Sequence, residues 1–300
     1  MSRRLERTIS PELAGVRVDT ILKKHLNLSG TVVRRIKWLP DGILVDGQRV
    51  NTRFTPQEGQ RLCVRLDDPE RRSGILPRPG PLDIRYEDGD IIVVNKAAGV
   101  SVHPGPGHFE DTLGNFLLHH YNCEGEQAGF HPVHRLDRGT SGLLVAAKHP
   151  HAQEVLKGQL HSEQFFRSYL AVCQGAPEPP SGAVEAPLGP KPGSLMEQMV
   201  RPDGKYARTH YQVEQVWGSW ALLSLKLDTG RTHQIRVHMA HIGHPLVGDF
   251  LYGVEDRSLI GHTALHSARL GFVHPITKER MEFEAPLPPD MQRLLSLGEK

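Results

Sequence analysis

An aspartate between two arginines is the strongest chemical feature of the sequence. Asp137 lies in His134-Arg135-Leu136-Asp137-Arg138-Gly139-Thr140-Ser141-Gly142-Leu143-Leu144, a Gly/Thr/Ser loop that leads into an apolar strand. The two guanidinium groups favour the charged form of the carboxylate, and an oriented, charged carboxylate can act as a nucleophile or as a base. For Asp137 taken alone, the alternative is an ordinary surface ion pair that stabilises the protein little.

The whole string from His134 to Leu144 is similar to the signature of the pseudouridine synthases of the ribosomal large-subunit type. Further stretches resemble that family in the same chain order and extend the resemblance over about residues 82–286. They are residues 90–102 with Asn95-Lys96-Ala97-Ala98-Gly99, residues 166–172, residues 199–209, residues 227–238 and residues 243–249. The family usually has proline where this chain has Ala97, and more often lysine where it has Arg167.

This resemblance implies specific roles. Asp137 would be the catalytic carboxylate that breaks the bond between uracil and ribose in a uridine, after which the base turns and is rejoined through a ring carbon. Arg236 is implied as the charge partner of Asp137, with Arg231 as the second choice, and a phosphate contact is the alternative for Arg231. Tyr169 would stack on uracil and could serve in proton transfer, and its alternative is an ordinary strand tyrosine. Arg135 and Arg138 would steady a flipped-out nucleotide or its phosphates. Whether Asp137 attacks the sugar, attacks the base or removes a ribose proton stays open. The implied isomerisation needs no cofactor, and no dinucleotide-binding or phosphate-loop motif occurs.

The elements that precede this region form a small unit of their own. Apolar residues recur at helical spacing in residues 17–26, Ser29 is a plausible N-cap for a second helix, and Asp46-Gly47 predicts a tight hairpin. The order of helix, basic helix and hairpin over residues 14–66 resembles the small RNA-binding domain first known from a ribosomal small-subunit protein. The resemblance implies RNA contacts at the outward-facing basic residues Lys23, Lys24, Arg34, Arg35 and Lys37. The alternative for such a cluster is a solvated charged helix face.

The distribution of charge supports a polyanionic partner more than the total does. The whole chain has a net charge of +2, but residues 1–80 contain 16 basic and 9 acidic side chains, and residues 81–300 contain 20 and 25. The first part therefore has a net charge of +7 and the second −5. An asymmetry of this kind indicates a polyanionic partner, and a basic arm on a soluble enzyme is the alternative.

The organisation predicted from these patterns is a small α/β RNA-binding domain in residues 1–70, a Pro/Gly-rich linker in residues 71–81 and a catalytic domain in residues 82–300. In the larger domain, short β-rich runs alternate with turns, and three stretches have helical periodicity, near residues 112–119, 151–160 and 232–242. The predicted fold class is α+β, with a mixed, mainly antiparallel sheet and flanking helices in the catalytic domain.

Several protein classes are excluded or disfavoured. No apolar run approaches the ~18 residues that a membrane span needs. The basic N-terminus is followed by no apolar stretch of the kind found in a secretory signal. Cys63, Cys123 and Cys173 are odd in number and widely spaced, which disfavours a disulfide framework and a thiolate zinc site. We therefore expect a cytoplasmic protein, with no membrane partner and no need for more than a monomer.

Two hypotheses compete with the synthase. His233, His238, His241 and His244 crowd one segment, which suggests a zinc site, although the glutamate of a His-Glu-x-x-His hydrolase is missing. We expect no metal. The second alternative is a non-catalytic RNA-binding or ribosome-assembly factor that keeps the fold. Within the synthase hypothesis, large-subunit ribosomal RNA is the favoured substrate and transfer RNA is the alternative.

Overall fold

The computed structural model describes residues 3–66 and 74–298, and its first sheet has four antiparallel strands. They are β1 (Arg4–Thr8), β2 (Ile43–Val45), β3 (Gln48–Arg49) and β4 (Arg61–Arg65), in the spatial order β1-β4-β2-β3. The turn between β2 and β3 has positive φ at Asp46 and Gly47, 49° and 79°. A two-residue hairpin turn requires this backbone conformation, so the predicted hairpin is confirmed. Strand β1 was not predicted.

Two short helices pack on this sheet. Helix α1 (Val18–Thr20) continues into a π-helical turn over Ile21–His25, which the bond from the Leu26 N–H to the Ile21 carbonyl closes. Helix α2 (Gly30–Ile36) begins after Ser29, whose hydroxyl oxygen accepts a hydrogen bond from the Val32 N–H, as predicted for its N-cap. The buried residues of these helices and of the sheet form one apolar cluster, which includes Ile21, Leu22, Val32, Val33, Ile36, Leu62 and Val64.

The second sheet has ten strands. They are β5 (Ile84–Glu87), β6 (Ile91–Lys96), β7 (His131–Pro132), β8 (Ser141–Ala147), β9 (Phe166–Gln174), β10 (Ser181–Glu185), β13 (Arg208–Trp217), β14 (Trp220–Leu227), β15 (Leu265–Val273) and β16 (Arg280–Glu284). Eight follow the order β10-β13-β14-β9-β15-β8-β6-β5, while β16 pairs with β15 and β7 with β8. The pair β15–β8 is parallel and the other pairs are antiparallel. A separate hairpin joins β11 (Leu188–Pro190) to β12 (Gln198–Val200).

Helices flank this sheet, as the predicted α+β class requires. Four are described: α3 (Leu113–Cys123), α4 (Pro150–Gln159), α5 (Gln234–His241) and α6 (Pro289–Gly298). Helices α3 and α5 cover one face of the sheet, where they share an apolar cluster with Ile92 and Val94 of β6 and with Leu144 and Ala146 of β8. Helix α4 covers the other face, where it shares a cluster with Ile91, Val93, Leu143 and Val145 of the same two strands. Because both faces are covered, all seven residues of β8 are buried. The predicted mixed, mainly antiparallel sheet with flanking helices is confirmed.

The parallel contact between β8 and β15 depends on one glycine. Gly142 has a φ of 110°, and a Cβ built on it would lie 2.3 Å from the carbonyl oxygen of Ser267. Only glycine therefore fits between the two strands. This close approach fixes the position of the loop that precedes β8, which carries Asp137. Strand β15 lies at the centre of the sheet and was not predicted from the sequence.

Residues on both sides of the predicted linker make defined contacts. Residues 71–73 of that linker lie outside the described residues, but the segment after them packs on α3, where the Asn115 side-chain amide donates to the Leu76 carbonyl at 2.7 Å. Arg3, next to β1, forms two hydrogen bonds of 2.6–2.7 Å with the buried Asp90 before β6. The boundaries 1–70 and 82–300 stay predictions. Within the described ranges, no helix is long and apolar enough to cross a membrane.

Candidate active site

Asp137 lies in the loop that joins β7 to β8, and backbone contacts hold this loop. The Thr140 N–H donates to the Asp137 carbonyl at 3.1 Å, and the Gly99 N–H donates to the Arg138 carbonyl at 2.8 Å. Leu136 anchors the loop in the apolar core. The Asp137 side chain keeps 20% of its surface exposed. The carboxylate is therefore held in place and remains accessible from solvent.

Arg236, on α5, contacts two carboxylates at once. Its Nη1 lies 3.4 Å from Oδ2 of Asp137, while Nε and Nη2 donate to the two carboxylate oxygens of Asp249 at 2.7 Å each. Burial by itself would lower the pKa of Arg236. The hydrogen bonds and charge of Asp249, together with the charge of Asp137, have a larger effect, and the pKa of Arg236 is raised. Asp249 is fully buried and fixes the guanidinium as a bidentate partner. Arg236 is thus a permanently charged, immobile neighbour of Asp137.

His233 approaches the same carboxylate from the N-terminal end of α5. Its Nε2 lies 3.9 Å from Oδ2 of Asp137, and its Nδ1 lies 2.8 Å from the Tyr252 hydroxyl oxygen. That oxygen already accepts the Gln198 N–H at 2.8 Å. We therefore assign the phenolic hydrogen to His233 Nδ1, which leaves the Nε2–H pointing towards Asp137.

Burial lowers the pKa of His233, partly opposed by the charge of Asp137. The imidazole is accordingly neutral near pH 7. His233 also has a φ of 55°, in the left-handed region that non-glycine residues seldom adopt. Such strain persists where surrounding contacts hold the residue, as the Tyr252 hydrogen bond does here.

A small cavity opens on one side of Asp137. Its volume is about 250 Å³, and Tyr169, Arg167, Leu265 and Ile235 are among its lining residues. This is roughly the volume of eight water molecules at ~30 Å³ each, which is enough space for one pyrimidine-sized ring. Tyr169, on β9, is almost completely buried, and burial raises the pKa of its phenol, which stays protonated at neutral pH. The cavity therefore places a flat aromatic side chain and a carboxylate around a space of the size of one base.

A larger cleft of about 970 Å³ opens on the other side. Asp137, Arg135, His233 and Arg236 line both spaces, so the carboxylate lies at their junction. The wider cleft is also bordered by Arg138, Met196, Phe250 and Arg257. It is large enough for a polymeric ligand to approach while one of its units enters the smaller cavity.

Comparison with known proteins identifies the family of the chain. The family model described as RNA pseudouridylate synthase matches residues 90–241, which include Asp137, Tyr169, His233 and Arg236. The Bacillus subtilis protein YlyB, named as an RNA pseudouridine synthase, is 42% identical over 293 residues and the match covers 96% of each chain. The chain belongs to the RNA pseudouridine synthase family.

Other relatives of this synthase agree. Ribosomal large subunit pseudouridine synthase D of Neisseria meningitidis serogroup B is 38% identical over 309 residues, covering 98% of this chain and 82% of the relative. The solved structure of human RNA pseudouridylate synthase domain containing 1 has a TM-score of 0.59 at 26% identity, covering 72% of this chain and 89% of that chain. These enzymes are isomerases that convert uridine in RNA to pseudouridine, so the chain is an RNA-modifying isomerase.

The synthase fold brings together only part of the predicted site. Asp137, Tyr169 and Arg236 surround the small cavity, and the exposed Arg135 borders both spaces. Arg231, the second choice as charge partner, instead donates from Nε to the Tyr206 carbonyl at 2.9 Å and lies at the rim of the small cavity.

Arg138 donates to the Gly99 carbonyl at 3.0 Å and borders only the larger cleft. The basic residues of the small domain line neither space. Lys23, Lys24 and Arg34 are exposed, whereas Arg35 and Lys37 are half-buried. Lys23 and Lys24 lie on the π-helical turn after α1, and the other three lie on α2 or at its C-terminal end.

The four clustered histidines do not form a metal site in the synthase. Both ring nitrogens of the buried His238 are engaged, Nδ1 with the Thr209 hydroxyl at 2.8 Å and Nε2 with the Ala186 carbonyl at 2.9 Å. His244 Nδ1 lies 2.9 Å from the Gln174 carbonyl. Over residues 3–66 and 74–298, the one cluster with ligand atoms close enough for a metal is Asp88, Asp90 and His274. Asp90 there is already paired with Arg3 and His149.

Sequence reasoning missed several residues that hold the synthase site together. Asp249 is 112 positions from Asp137, and residues 243–249 resemble the family, but no role was assigned to Asp249 itself. Lys96 lies under the Asp137 loop, where its Nζ donates to the Ala97 and Val100 carbonyls at 2.8 Å. Burial lowers the pKa of Lys96 to about 7, partly opposed by the charge of Asp137. His233 was considered only as a metal ligand.

Proposed function

We propose that this synthase isomerises uridines in large-subunit ribosomal RNA, with Asp137 as the catalytic residue. The observation that carries the proposal is the position of Asp137 at the junction of a base-sized cavity and a wide cleft, 3.4 Å from the immobile Arg236. A uridine in a folded RNA has its glycosidic bond inside the nucleotide, so the base must leave its stack before reaction. The wide cleft suits the RNA strand, and the small cavity suits the extruded base.

The chemistry required is an isomerisation with no net change in composition. The bond between N1 of uracil and C1′ of ribose breaks, the base turns, and a bond forms between C5 and C1′. The proton leaves C5, and N1 gains one. Asp137 supplies the carboxylate for the bond-breaking step, while Arg236 holds it and balances its charge. Tyr169, buried and protonated, provides a ring surface for uracil and a hydroxyl for proton transfer.

Arginines at the cleft support the handling of the flipped nucleotide. Arg135 is exposed at the border of both spaces, and Arg138 borders the wide cleft. Guanidinium groups bind phosphate through several hydrogen bonds at once. We propose that Arg135 and Arg138 bind the phosphates that flank the target uridine. The basic residues of the small domain then bind a second, more distant part of the same RNA, through contacts that weaken with salt.

Ribosomal RNA is favoured over transfer RNA because the match to the ribosomal large subunit synthase D of Neisseria meningitidis extends over 98% of this chain, including the small domain. A cytoplasmic location goes with this proposal, since that is where bacterial ribosomal RNA is made. We further propose that a monomer suffices, because Asp137, Tyr169, His233 and Arg236 all come from one chain.

The test is to incubate the protein with unmodified large-subunit ribosomal RNA and with transfer RNA, and to map pseudouridine at single-nucleotide resolution. We expect modified positions in the ribosomal RNA, and none with Asp137→Asn, whose RNA affinity stays at the wild-type level. Asp203→Asn, which alters an exposed carboxylate, is the matched control and should retain activity. Product in transfer RNA alone would favour the transfer RNA alternative. No product in either RNA, with binding intact, would favour the non-catalytic binder.

A further inference from the structure

Trp38 is an exposed indole at the end of α2. It has 74% of its surface exposed, whereas Trp217 is buried and Trp220 is half-buried. Helix α2 turns Val32, Val33 and Ile36 towards the core, and Trp38, two positions after Ile36, falls on the opposite side. An exposed tryptophan offers a large, rigid, flat surface for a partner.

One cation contacts this indole, and three more belong to neighbouring positions of the helix and of β3. The Lys37 ammonium lies 4.8 Å from the centroid of the Trp38 ring and covers one face of it. Arg49 donates from Nη2 to the carbonyls of Lys37 and Trp38, which holds the backbone here. Arg34 and Arg35 are on the preceding turn. With 74% of the residue exposed, the other face of the ring is open to solvent.

Two acidic residues of the small domain, Asp41 and Asp19, are already paired with cations. Asp41, three positions after Trp38, forms salt bridges with Arg4 and Arg65. Asp19, on α1, forms one with Lys23 at 2.9 Å. The surface formed by Arg34, Arg35, Lys37, Trp38 and Arg49 therefore presents one aromatic face among positive charges. We call it the Trp38 surface.

We propose that the Trp38 surface binds an unpaired nucleotide of the RNA, with its base stacked on the indole and its phosphates on the surrounding cations. Every base has a π-face, so aromatic stacking accepts any sequence, but it requires a base that is free of its helix. A fully paired helix offers only phosphates to this surface. This inference rests on the proposed function for its choice of RNA, but it concerns binding by the small domain and not the reaction at Asp137.

The chemistry of the surface favours RNA over a protein partner. The core of a protein interface is depleted of charged residues and contains several apolar side chains. Among the described residues of the small domain, the large exposed apolar side chains are Trp38 and Phe54 alone. One indole among four cations fits the alternation of base and phosphate in a single strand.

The test compares two fluorescein-labelled RNAs of equal length, a hairpin with an unpaired loop and a fully paired duplex, binding to the full chain. We expect Trp38→Ala to weaken binding of the hairpin about tenfold, equivalent to about 1.4 kcal/mol, and to leave duplex binding unchanged. Trp38→Phe should restore most of the hairpin affinity because it keeps a flat ring. Phe54→Ala, the control at the other exposed aromatic residue of the small domain, should bind both RNAs as the wild type does.

A second measurement reports stacking directly. In a Trp217→Phe/Trp220→Phe background, Trp38 is the one remaining tryptophan, and the hairpin should quench its fluorescence while the duplex should not. Unchanged hairpin affinity in Trp38→Ala, or equal weakening for both RNAs, would overturn the proposal. A change of oligomeric state in Trp38→Ala would overturn it in favour of a protein contact. All binding is measured with Asp137→Asn present, so the result is independent of pseudouridine formation.

Discussion

Replacing Asp249 by asparagine tests whether Arg236 must be immobile for Asp137 to act. Asp249 is fully buried and receives two 2.7 Å hydrogen bonds from the Arg236 guanidinium, whose remaining Nη1 faces Asp137. Asparagine has nearly the same shape but carries no charge and has one oxygen acceptor in place of two. The variant thus loosens Arg236 and leaves every residue that lines the two cavities chemically unchanged.

The structure sets the expected size of both effects. Removing one partner of a buried ion pair costs about 3–5 kcal/mol of unfolding free energy. The amide oxygen can still accept from Arg236 or from the Leu251 and Tyr252 N–H groups, so we expect the lower end of that range. A loss of about 3 kcal/mol corresponds to a fall in Tm of roughly 6–12 °C. A guanidinium displaced by about 1 Å lowers kcat roughly 100-fold.

Release of the C5 proton provides the activity assay, because isomerisation of RNA that carries tritium at C5 of uridine frees tritium into water. The Asp249 side chain is fully buried and lines neither cavity, so KM should stay near the wild-type value while kcat falls. Asp90→Asn is the matched control. Asp90 is another buried carboxylate paired with an arginine, Arg3, but it lies before β6, at the opposite end of that strand from Lys96 and the Asp137 loop.

We expect the two variants to lose comparable stability, and only Asp249→Asn to lose activity at a temperature where both are folded. A folded Asp249→Asn variant with wild-type kcat would refute the requirement for a fixed Arg236. An equal loss of kcat in both variants would refute it as well, because the loss would then follow stability and not the position of Arg236.

Three further predictions concern the phenol, the buried lysine and metals. Tyr169→Phe should lower kcat and leave Tm almost unchanged, because phenylalanine keeps the ring and loses only the hydroxyl; unfolding and tritium release measure this. Burial lowers the pKa of Lys96 from 10.5 to about 7, so between those values the folded chain binds fewer protons than the unfolded chain and stability rises with pH. Lys96→Met should flatten that rise in denaturant titrations at several pH values. Incubation with EDTA should leave activity unchanged, whereas a stoichiometric loss of zinc together with activity would contradict the assignment of hydrogen-bonding roles to His238 and His244.

Local features of the fold could be predicted because the residues that determine them are neighbours in sequence. Ser29 caps α2 through a bond to a backbone N–H three positions later, and Asp46-Gly47 supplies the positive φ values of the β2–β3 turn within two residues. The apolar run of β8 predicted a strand, and the structure adds that this strand is buried on both faces. The string around Asp137 predicted a site in the same way, since its arginines and glycines are adjacent to it along the chain.

Strand β15 escaped prediction because its polar residues break the apolar pattern and find partners only in three dimensions. The Ser141 and His266 side chains lie 2.8 Å apart, and the Ser267 hydroxyl donates to the Leu143 carbonyl. In isolation, these residues indicate a loop. The ion pair between Arg3 and Asp90 could not be predicted either, because the two residues are 87 positions apart in sequence.

The amino-acid sequence by itself determined the family, and it predicted the carboxylate at the centre of the candidate site and a basic small domain, since each depends on residue types at short, fixed spacing. The family resemblance ranked Arg236 ahead of Arg231 as the partner of that carboxylate, and the tertiary structure shows the physical reason for the contact. Arg231 and Arg236 are five positions apart and chemically equal, and the buried Asp249 holds one of them beside Asp137 while the other bonds to Tyr206. A bidentate ion pair is set by the approach of distant backbones, which no local pattern encodes.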